Sequence, residues 1–249
     1  MRRRRQRRDE ILDAIASGEA EVDALAARFG VSPSTIRRDL QELSTRGAVA
    51  RTYGGALLAA PERERSLRAR EATNRAAKAA IAAAALAEIR EGETLILDGG
   101  STVEALGRLL RGRRQRVITN NLSLIPVLAD APGLDLIILG GALRPISMST
   151  TGPLAEEALR RMTADRLFTS ADGVVARRGL CEATLEQASL KTLMTEQAAQ
   201  VFVLADASKL GRAGQPFWTP LRAGWTLVTD APEEASDSFG AEGLRVLPA

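Results

Sequence analysis

Histidine is absent from this 249-residue sequence, and cysteine occurs once, as Cys181. Without histidine the chain lacks the commonest metal ligand and the commonest general base near neutrality, which counts against zinc sites and Ser-His chemistry. A single cysteine can form no internal disulfide, a pattern that fits the cytoplasm. Nowhere do 18 apolar residues follow one another, so no membrane-spanning helix is expected. The amino terminus carries Arg2 to Arg5, Arg7 and Arg8, then runs into Asp9-Glu10-Ile11 without the apolar middle of a signal peptide. Lysine is scarce as well: Lys78, Lys191 and Lys209 stand against 31 arginines. We expect no cofactor, no metal site and a cytoplasmic location.

What the chain does hold is unevenly spread. Its apolar content of 45% suffices for one large core, or for one small and one medium core. The net charge of +3 sits entirely in residues 1–58, while residues 59–249 carry equal numbers of acidic and basic side chains. That asymmetry suggests a polyanion-binding unit attached to a neutral body. A disordered basic tail on any soluble protein is the plainer explanation of charge alone.

The first 58 residues read as helical. Ile11, Leu12 and Ile15 form one apolar stripe, which Ser17-Gly18 can end. Val22, Leu25, Ala26 and Phe29 form a second, with Gly30 where a C-cap glycine belongs. Ser32 is a good N-cap and Pro33 suits the first position of a third helix, which runs to about Arg46 and stops at Gly47. In it Ile36, Leu40 and Leu43 face inward, while Ser34, Thr35, Arg37, Arg38 and Gln41 face outward. Arginine reaches guanine edges bidentately, and hydroxyls and free N–H groups at a helix start bind phosphates. The segment 48–58 then reads as a hairpin, a wing that places Arg51 and Tyr53 near the phosphate backbone. A three-helix bundle with a solvated charged face is the alternative.

The run Val31-Ser32-Pro33-Ser34-Thr35-Ile36-Arg37-Arg38-Asp39-Leu40, with Leu43, Gly47 and Tyr53-Gly54-Gly55-Ala56, resembles the DeoR family of bacterial regulators over the whole amino-terminal unit. The resemblance implies that Thr35, Arg37 and Arg38 contact DNA.

Residues 59–75 are charged and poor in large apolar side chains, and read as a linker. An alanine-rich helix follows over about Asn74 to Arg90. Short apolar runs at Thr94–Leu97, Arg116–Thr119, Leu134–Leu139, Arg166–Thr169, Val201–Ala205 and Trp225–Thr229 then alternate with helical stretches, the pattern of a mostly parallel sheet covered on both faces. Polar and glycine residues gather just after these runs, where open α/β sheets bind ligands. Asp98-Gly99-Gly100-Ser101-Thr102 opens a helix and makes an anion cradle, although ordinary turn chemistry would give the same pattern. In so arginine-biased a chain, the retained Lys191 and Lys209 mark candidate sites for a compact ammonium. Lys78, the Asp98 loop, Asn120, Gly140-Gly141, Asp172-Gly173, Glu186 to Lys191 and Asp206 to Lys209 also fall in the order of DeoR-family sensor domains. Those domains resemble ribose-5-phosphate isomerase A and the CoA transferases in fold. The resemblance implies a phosphorylated sugar or related effector.

We therefore expect an α/β protein of three parts: a winged helix-turn-helix at 1–58, a linker at 59–75 and an effector-sensing domain at 76–249. The expected function is a repressor of a carbohydrate or related operon, released from DNA by a small phosphorylated metabolite. Its expected partners are a double-stranded operator, that metabolite and further copies of itself in a dimer or tetramer. The candidate ligand set is Asp98, Gly99, Gly100, Ser101, Thr102, Asn120, Gly141, Asp172, Glu186, Lys191 and Lys209. A sugar-phosphate isomerase or deaminase is the alternative, but such chemistry needs two poised groups, and Val174-Val175 follow Asp172-Gly173 where the second carboxylate is expected. No catalytic residue is assigned.

Overall fold

Apolar spacing dictates the amino-terminal unit. The computed structural model describes residues 7–8, 10–11, 14–15, 19, 21–45, 49–52, 55–58 and 64–249, with backbone alone at 45, 50, 51 and 56–58. Helix α1 (Val22–Phe29) buries Val22, Leu25 and Ala26 and ends at Gly30, whose φ of 60° is the left-handed cap position that favours glycine. Ser32 opens α2 (Pro33–Thr45): its hydroxyl accepts from the Thr35 backbone N–H at 3.3 Å. Ile36, Leu40 and Leu43 meet Ile11, Ala14, Ile15 and Val49 in one small core. Strands β1 (Val49–Thr52) and β2 (Gly55–Leu58) pair antiparallel, Val49 opposite Leu58, so the expected wing is a hairpin. The expected stops at Ser17-Gly18 and Gly47, together with Tyr53, lie outside the described residues.

The larger unit starts with helices α3 (Leu67–Glu71) and α4 (Arg75–Ala87). Next come β3 (Thr94–Leu97), α5 (Ser101–Arg108), β4 (Gln115–Thr119), α6 (Ile125–Leu128) and β5 (Leu134–Ile138). A hairpin of β6 (Ala142–Arg144) and β7 (Ser149–Thr151) precedes α7 (Pro153–Leu159) and β8 (Ala164–Thr169). Then follow β9 (Gly173–Val175), β10 (Gly179–Glu182), α8 (Leu185–Glu196), β11 (Ala198–Leu204) and β12 (Phe217–Thr219). The chain closes with β13 (Thr226–Thr229), α9 (Glu233–Ala241) and β14 (Arg245–Pro248). Seven strands form one sheet in the order β14-β13-β11-β8-β3-β4-β5, and every pairing within it is parallel.

Alternation along the strands feeds two cores. Ile96, Leu167 and Val203 enter one face, while Leu95, Leu97, Phe168 and Phe202 enter the other, as the period of two requires. Phe168 and Phe202 stack at 4.9 Å between ring centroids. All six strands expected from sequence are present. The seventh, β14, and the short antiparallel pieces β6-β7 and β12-β10-β9 were not expected.

The chain winds from β3 outward to β4 and β5, then returns to the other side of β3 with β8. Such a reversal leaves a crevice outside the carboxyl ends of the two diverging strands. Asp98 follows β3 there and Ser170-Ala171-Asp172 follows β8.

Candidate functional site

Two surfaces carry the chemistry. On α2, Arg37, Arg38 and Gln41 are exposed, as is Ser34, while Thr35 is half-buried. Among the described residues neither Arg37 nor Arg38 makes an ion pair. The Ser32 hydroxyl lies 2.8 Å from that of Ser34 and 2.9 Å from that of Thr35, so three hydroxyls cluster at the helix start. The intervening Asp39 points the other way. It is 1% exposed and accepts from Arg7 Nε at 2.8 Å and Arg8 Nε at 3.2 Å, and Arg8 also binds Glu42 through both terminal nitrogens. Arg7 and Arg8 thus tether the amino-terminal turn to the back of α2. The backbone of Arg51 lies in β1, and Tyr53 lies outside the described residues.

The second surface is the crevice, which holds two adjoining cavities. The first, a cleft open to solvent, is lined by Asp98, Gly99, Gly100, Asn120, Ser147, Ser149, Thr151, Ser170, Ala171, Glu182, Gln187, Lys191 and Arg70. Its two cations face two carboxylates, and most of the remaining wall is hydroxyl and amide. The second, likewise open to solvent, is lined by Ser101, Asp172, Asp206, Ser208, Lys209, Arg212, Gln215, Lys78, Thr73, Asn74, Glu64, Arg65 and Arg70. There five basic side chains face three acidic ones.

Lys191 is the hub of the first cavity's floor. Its ammonium donates to Asp98 Oδ2, to Thr169 Oγ1 at 2.8 Å and to the Ser170 carbonyl at 2.6 Å, with Glu182 Oε1 at 3.1 Å. Burial alone would lower its pKa, but the Asp98 and Glu182 carboxylates outweigh burial and hold it above the ordinary lysine value. Burial pushes Glu182 up to about 7 against the pull of Lys191. Asp98 is saturated, since it also accepts from Thr169 Oγ1 at 2.7 Å and from the Gly99 N–H at 2.6 Å. Asn120 is different. Its amide donates to the Thr150 carbonyl at 3.1 Å, yet its buried Oδ1 has no partner among the described residues, which leaves an acceptor open for a ligand hydroxyl.

Lys209 stands in the second cavity. It donates to Ser170 Oγ at 3.0 Å and to the Ala171 carbonyl at 2.6 Å, which leaves one of its three protons without a described partner. Burial brings its pKa down to about 8. Asp172, raised by burial, has one carboxylate oxygen with no hydrogen-bond partner among the described residues. Asp206 accepts from Ser208 N at 3.1 Å and Asn74 Nδ2 at 3.0 Å, tying the loop after β11 to the start of α4.

Of the ligand residues expected from sequence, Asp98, Gly99, Gly100, Asn120 and Lys191 thus meet in the first cavity. Ser101, Asp172 and Lys209 meet in the second. Thr102 is fully buried beneath the loop, Glu186 is exposed on the outer side of α8, and neither lines a cavity. Gly141 serves the backbone: its φ is 130°, and a Cβ there would sit 2.5 Å from the Thr151 carbonyl oxygen. Sequence reasoning missed Glu182, the hydroxyls of the β6-β7 hairpin, and Glu64 and Arg70. The last two lie in the stretch read as a linker, which from Glu64 onward packs on the body. Leu67 is buried there and its N–H donates to the Ile146 carbonyl at 2.8 Å. Ser66, which accepts from Ala69 N at 3.3 Å, was the available cap signal for α3.

Among the described residues no helix is long and apolar enough to cross a membrane. Two family descriptions match the chain: a DeoR-like helix-turn-helix domain over residues 7–62 and a DeoR C terminal sensor domain over residues 73–231. The transcriptional repressor AccR of Agrobacterium fabrum is 33% identical over 213 residues, covering 84% of this chain and 83% of that protein. The HTH-type transcriptional regulator GlpR of Haloferax volcanii is 30% identical over 243 residues, 97% of this chain and 95% of that one. Among solved structures, ribose 5-phosphate isomerase A of Methanocaldococcus jannaschii aligns with a TM-score of 0.41 and 18% identity, over 55% of each chain. With both units matched and relatives similar along nearly their full length, the chain belongs to the DeoR family of transcriptional regulators.

Proposed function

We propose that this regulator is a cytoplasmic repressor of a sugar-related operon, whose grip on its operator weakens when a phosphorylated sugar-type metabolite fills the crevice. The observation that carries the DNA-binding half is the outward pair Arg37 and Arg38, exposed and without an ion pair among the described residues on a helix anchored from behind. In this reading residues 1–58 bind DNA, 59–75 connect and 76–249 sense, and two copies of the winged unit take paired half-sites. Ser34, Thr35 and Gln41 lie beside the arginines on the same face, and Arg51 and Tyr53 are assigned to the same DNA contact set.

The effector half rests on the contrast between the cavities. A charge-balanced wall rich in hydroxyls and amides suits a polyhydroxylated body. The adjoining wall, with more cations than anions, suits a phosphate. We read both as binding surfaces; in the first, Asp98 and Glu182 are both committed to Lys191, whereas general acid–base work needs groups free to exchange protons with a substrate.

Mobility shift with the gene's own upstream duplex, with and without a panel of sugar phosphates, tests the whole reading. Arg38→Ala should cost about 1–3 kcal/mol and relax preference at one base if it reads a base edge. Duplex affinity indifferent to both Arg37→Ala and Arg38→Ala would refute it.

A further inference from the structure

We infer that the β6-β7 hairpin is the part of the crevice wall that acts on the connecting stretch, and that Arg144 is the positioning residue that clamps the two together. This rests on the effector reading above and adds the route by which a filled crevice reaches the winged unit. The clamp uses side chain and backbone alike. Arg144, at the end of β6, grips Glu64 through both terminal nitrogens, and the two side chains are only 16% and 7% exposed. Two residues on, the Ile146 carbonyl accepts from the Leu67 N–H at 2.8 Å, and Leu67 is buried. The stretch from Glu64 to Leu67 is thereby fastened to the turn of the hairpin.

The same turn reaches the first cavity, which Ser147 and Ser149 line. Their hydroxyls lie 2.8 Å apart, and Ser147 Oγ accepts from Arg144 Nη1 at 3.1 Å. A continuous set of hydrogen bonds therefore runs from the cavity wall to Glu64. Asn120, with its open Oδ1, holds β7 through the Thr150 carbonyl. A ligand hydroxyl that engages Ser149 or Asn120 thus alters the bonds that fix the hairpin. Three features let the hairpin shift while the large sheet stays. It forms a two-stranded sheet of its own, and such a pair is marginally stable alone. Ala142 and Leu143 in its outer strand are exposed. Between the two serines, Met148 holds φ at 48°, a left-handed conformation that costs a residue with a Cβ and persists only where its surroundings impose it. Met148 is 41% exposed, so backbone bonds impose it: Leu122 N–H donates to its carbonyl at 2.9 Å, and its own N–H donates to the Pro145 carbonyl at 3.3 Å. A strained turn held by a few bonds at the edge of a binding cavity suits an element with two settings.

The test uses the full chain and follows amide exchange over residues 64–72 together with duplex affinity, first without any ligand. Arg144→Met should speed exchange there about tenfold or more, since a buried charge-assisted pair is lost, with exchange in β3 and β8 unchanged. Arg144→Lys, which keeps the charge without the fork, should fall between. Met148→Gly relieves the turn, so it should slow exchange over residues 64–72 in the parent protein and have no effect there once Arg144 is methionine. Next, ribose 5-phosphate, glucose 6-phosphate and fructose 6-phosphate are tried, and the one that weakens duplex binding most is kept as the probe. Arg144→Met should bind it within about threefold of the parent protein yet lose most of its effect on duplex affinity, as a broken coupling requires. A residue serving stability alone would weaken ligand and duplex binding together. Parent-like exchange over residues 64–72 in Arg144→Met, an effect of Met148→Gly that ignores Arg144, or undiminished release of duplex by the probe in Arg144→Met overturns the inference. If exchange follows the hairpin as stated while none of the three sugar phosphates alters duplex affinity, the clamp stands and the effector reading fails.

Discussion

Replacing Lys191 with methionine keeps most of the side chain's stem and removes one charge from the centre of the crevice. The consequence follows from burial. The side chains of Lys191, Asp98 and Glu182 are 4%, 8% and 6% exposed, so the substitution leaves two carboxylates facing each other without a cation. Breaking a buried pair from one side costs ~3–5 kcal/mol. For a chain of this size that corresponds to a fall of roughly 6–20 °C in the unfolding midpoint. The loss should depend on pH with a definite sign. Glu182 already sits near 7 against an ordinary 4.5 because of burial, so between those values the folded protein holds a proton that the unfolded chain lacks. Its contribution is present below 4.5 and is lost as pH rises through 7. Without Lys191 the Glu182 carboxyl loses the cation that pulls it down and moves further up, and the variant should regain stability on acidification more steeply than the parent protein. Adding Glu182→Gln to Lys191→Met should restore part of the midpoint. Scanning calorimetry across this pH range is the assay. A midpoint within about 2 °C of the parent at neutral pH, or a variant that weakens on mild acidification, would refute the account of the floor.

Asp39→Ala should destabilise the winged unit by ~1.5–3 kcal/mol, because the buried carboxylate that holds both Arg7 and Arg8 is lost and Arg8, 8% exposed, keeps Glu42 alone. It should abolish duplex binding although Arg37 and Arg38 remain, whereas Arg37→Ala should lower duplex affinity and leave the thermal midpoint unmoved. Lys209, brought down to about 8 by burial, should make phosphate affinity fall as pH rises through about 8, and Lys209→Arg should flatten that profile. In the empty protein the same shift makes stability rise between about 8 and 10.5, where the unfolded chain keeps a proton that the fold has lost. Calorimetry from about pH 7 to about pH 9 separates these outcomes.

The sequence disclosed what periodicity and caps encode. Ile36, Leu40 and Leu43 fixed which face of α2 is inward, so Arg37 and Arg38 fell outward as expected. Five of the six apolar runs are largely buried, and the sixth, at the sheet edge, still carries four apolar residues, so the strands are continuous enough to be seen. Strand β14 escaped because Arg245–Pro248 is short, half-exposed and ends in proline at the sheet's edge. The pieces β6, β7, β9, β10 and β12 have three or four residues each, too few for alternation to register. In the site, strand-end position located Asp98, Asp172 and Lys209, but position alone carries no pairing. That Lys191 is committed to Asp98 and Glu182 depends on α8 packing beneath β3 and β8, contacts 93 and 22 residues apart in the chain. The charge run at 59–75 looked like a solvated connector because its salt-bridge partners, Arg144 and Asp172, lie far along the sequence.

How little change is needed for regulation follows from magnitudes. A ligand moves an equilibrium only by its differential affinity for the two states. A tenfold loss of duplex affinity needs about 1.4 kcal/mol of coupling, and one hydrogen bond to a charged group contributes about 1.5–3 kcal/mol. In the proposed reading the stretch from Glu64 onward would supply one end of such a contact: Arg70 lines the crevice with open donors, and its neighbour Glu64 is gripped by Arg144. One bond made with the ligand in one position of that stretch and absent in another would therefore be enough. No rearrangement of the seven-stranded sheet is required, and its two apolar cores would resist one, because close-packed interiors do not deform cheaply. In the proposed reading the close-packed sheet would fix where the ligand lies, and the variable contact would fall to the segment that adjoins the winged unit in sequence.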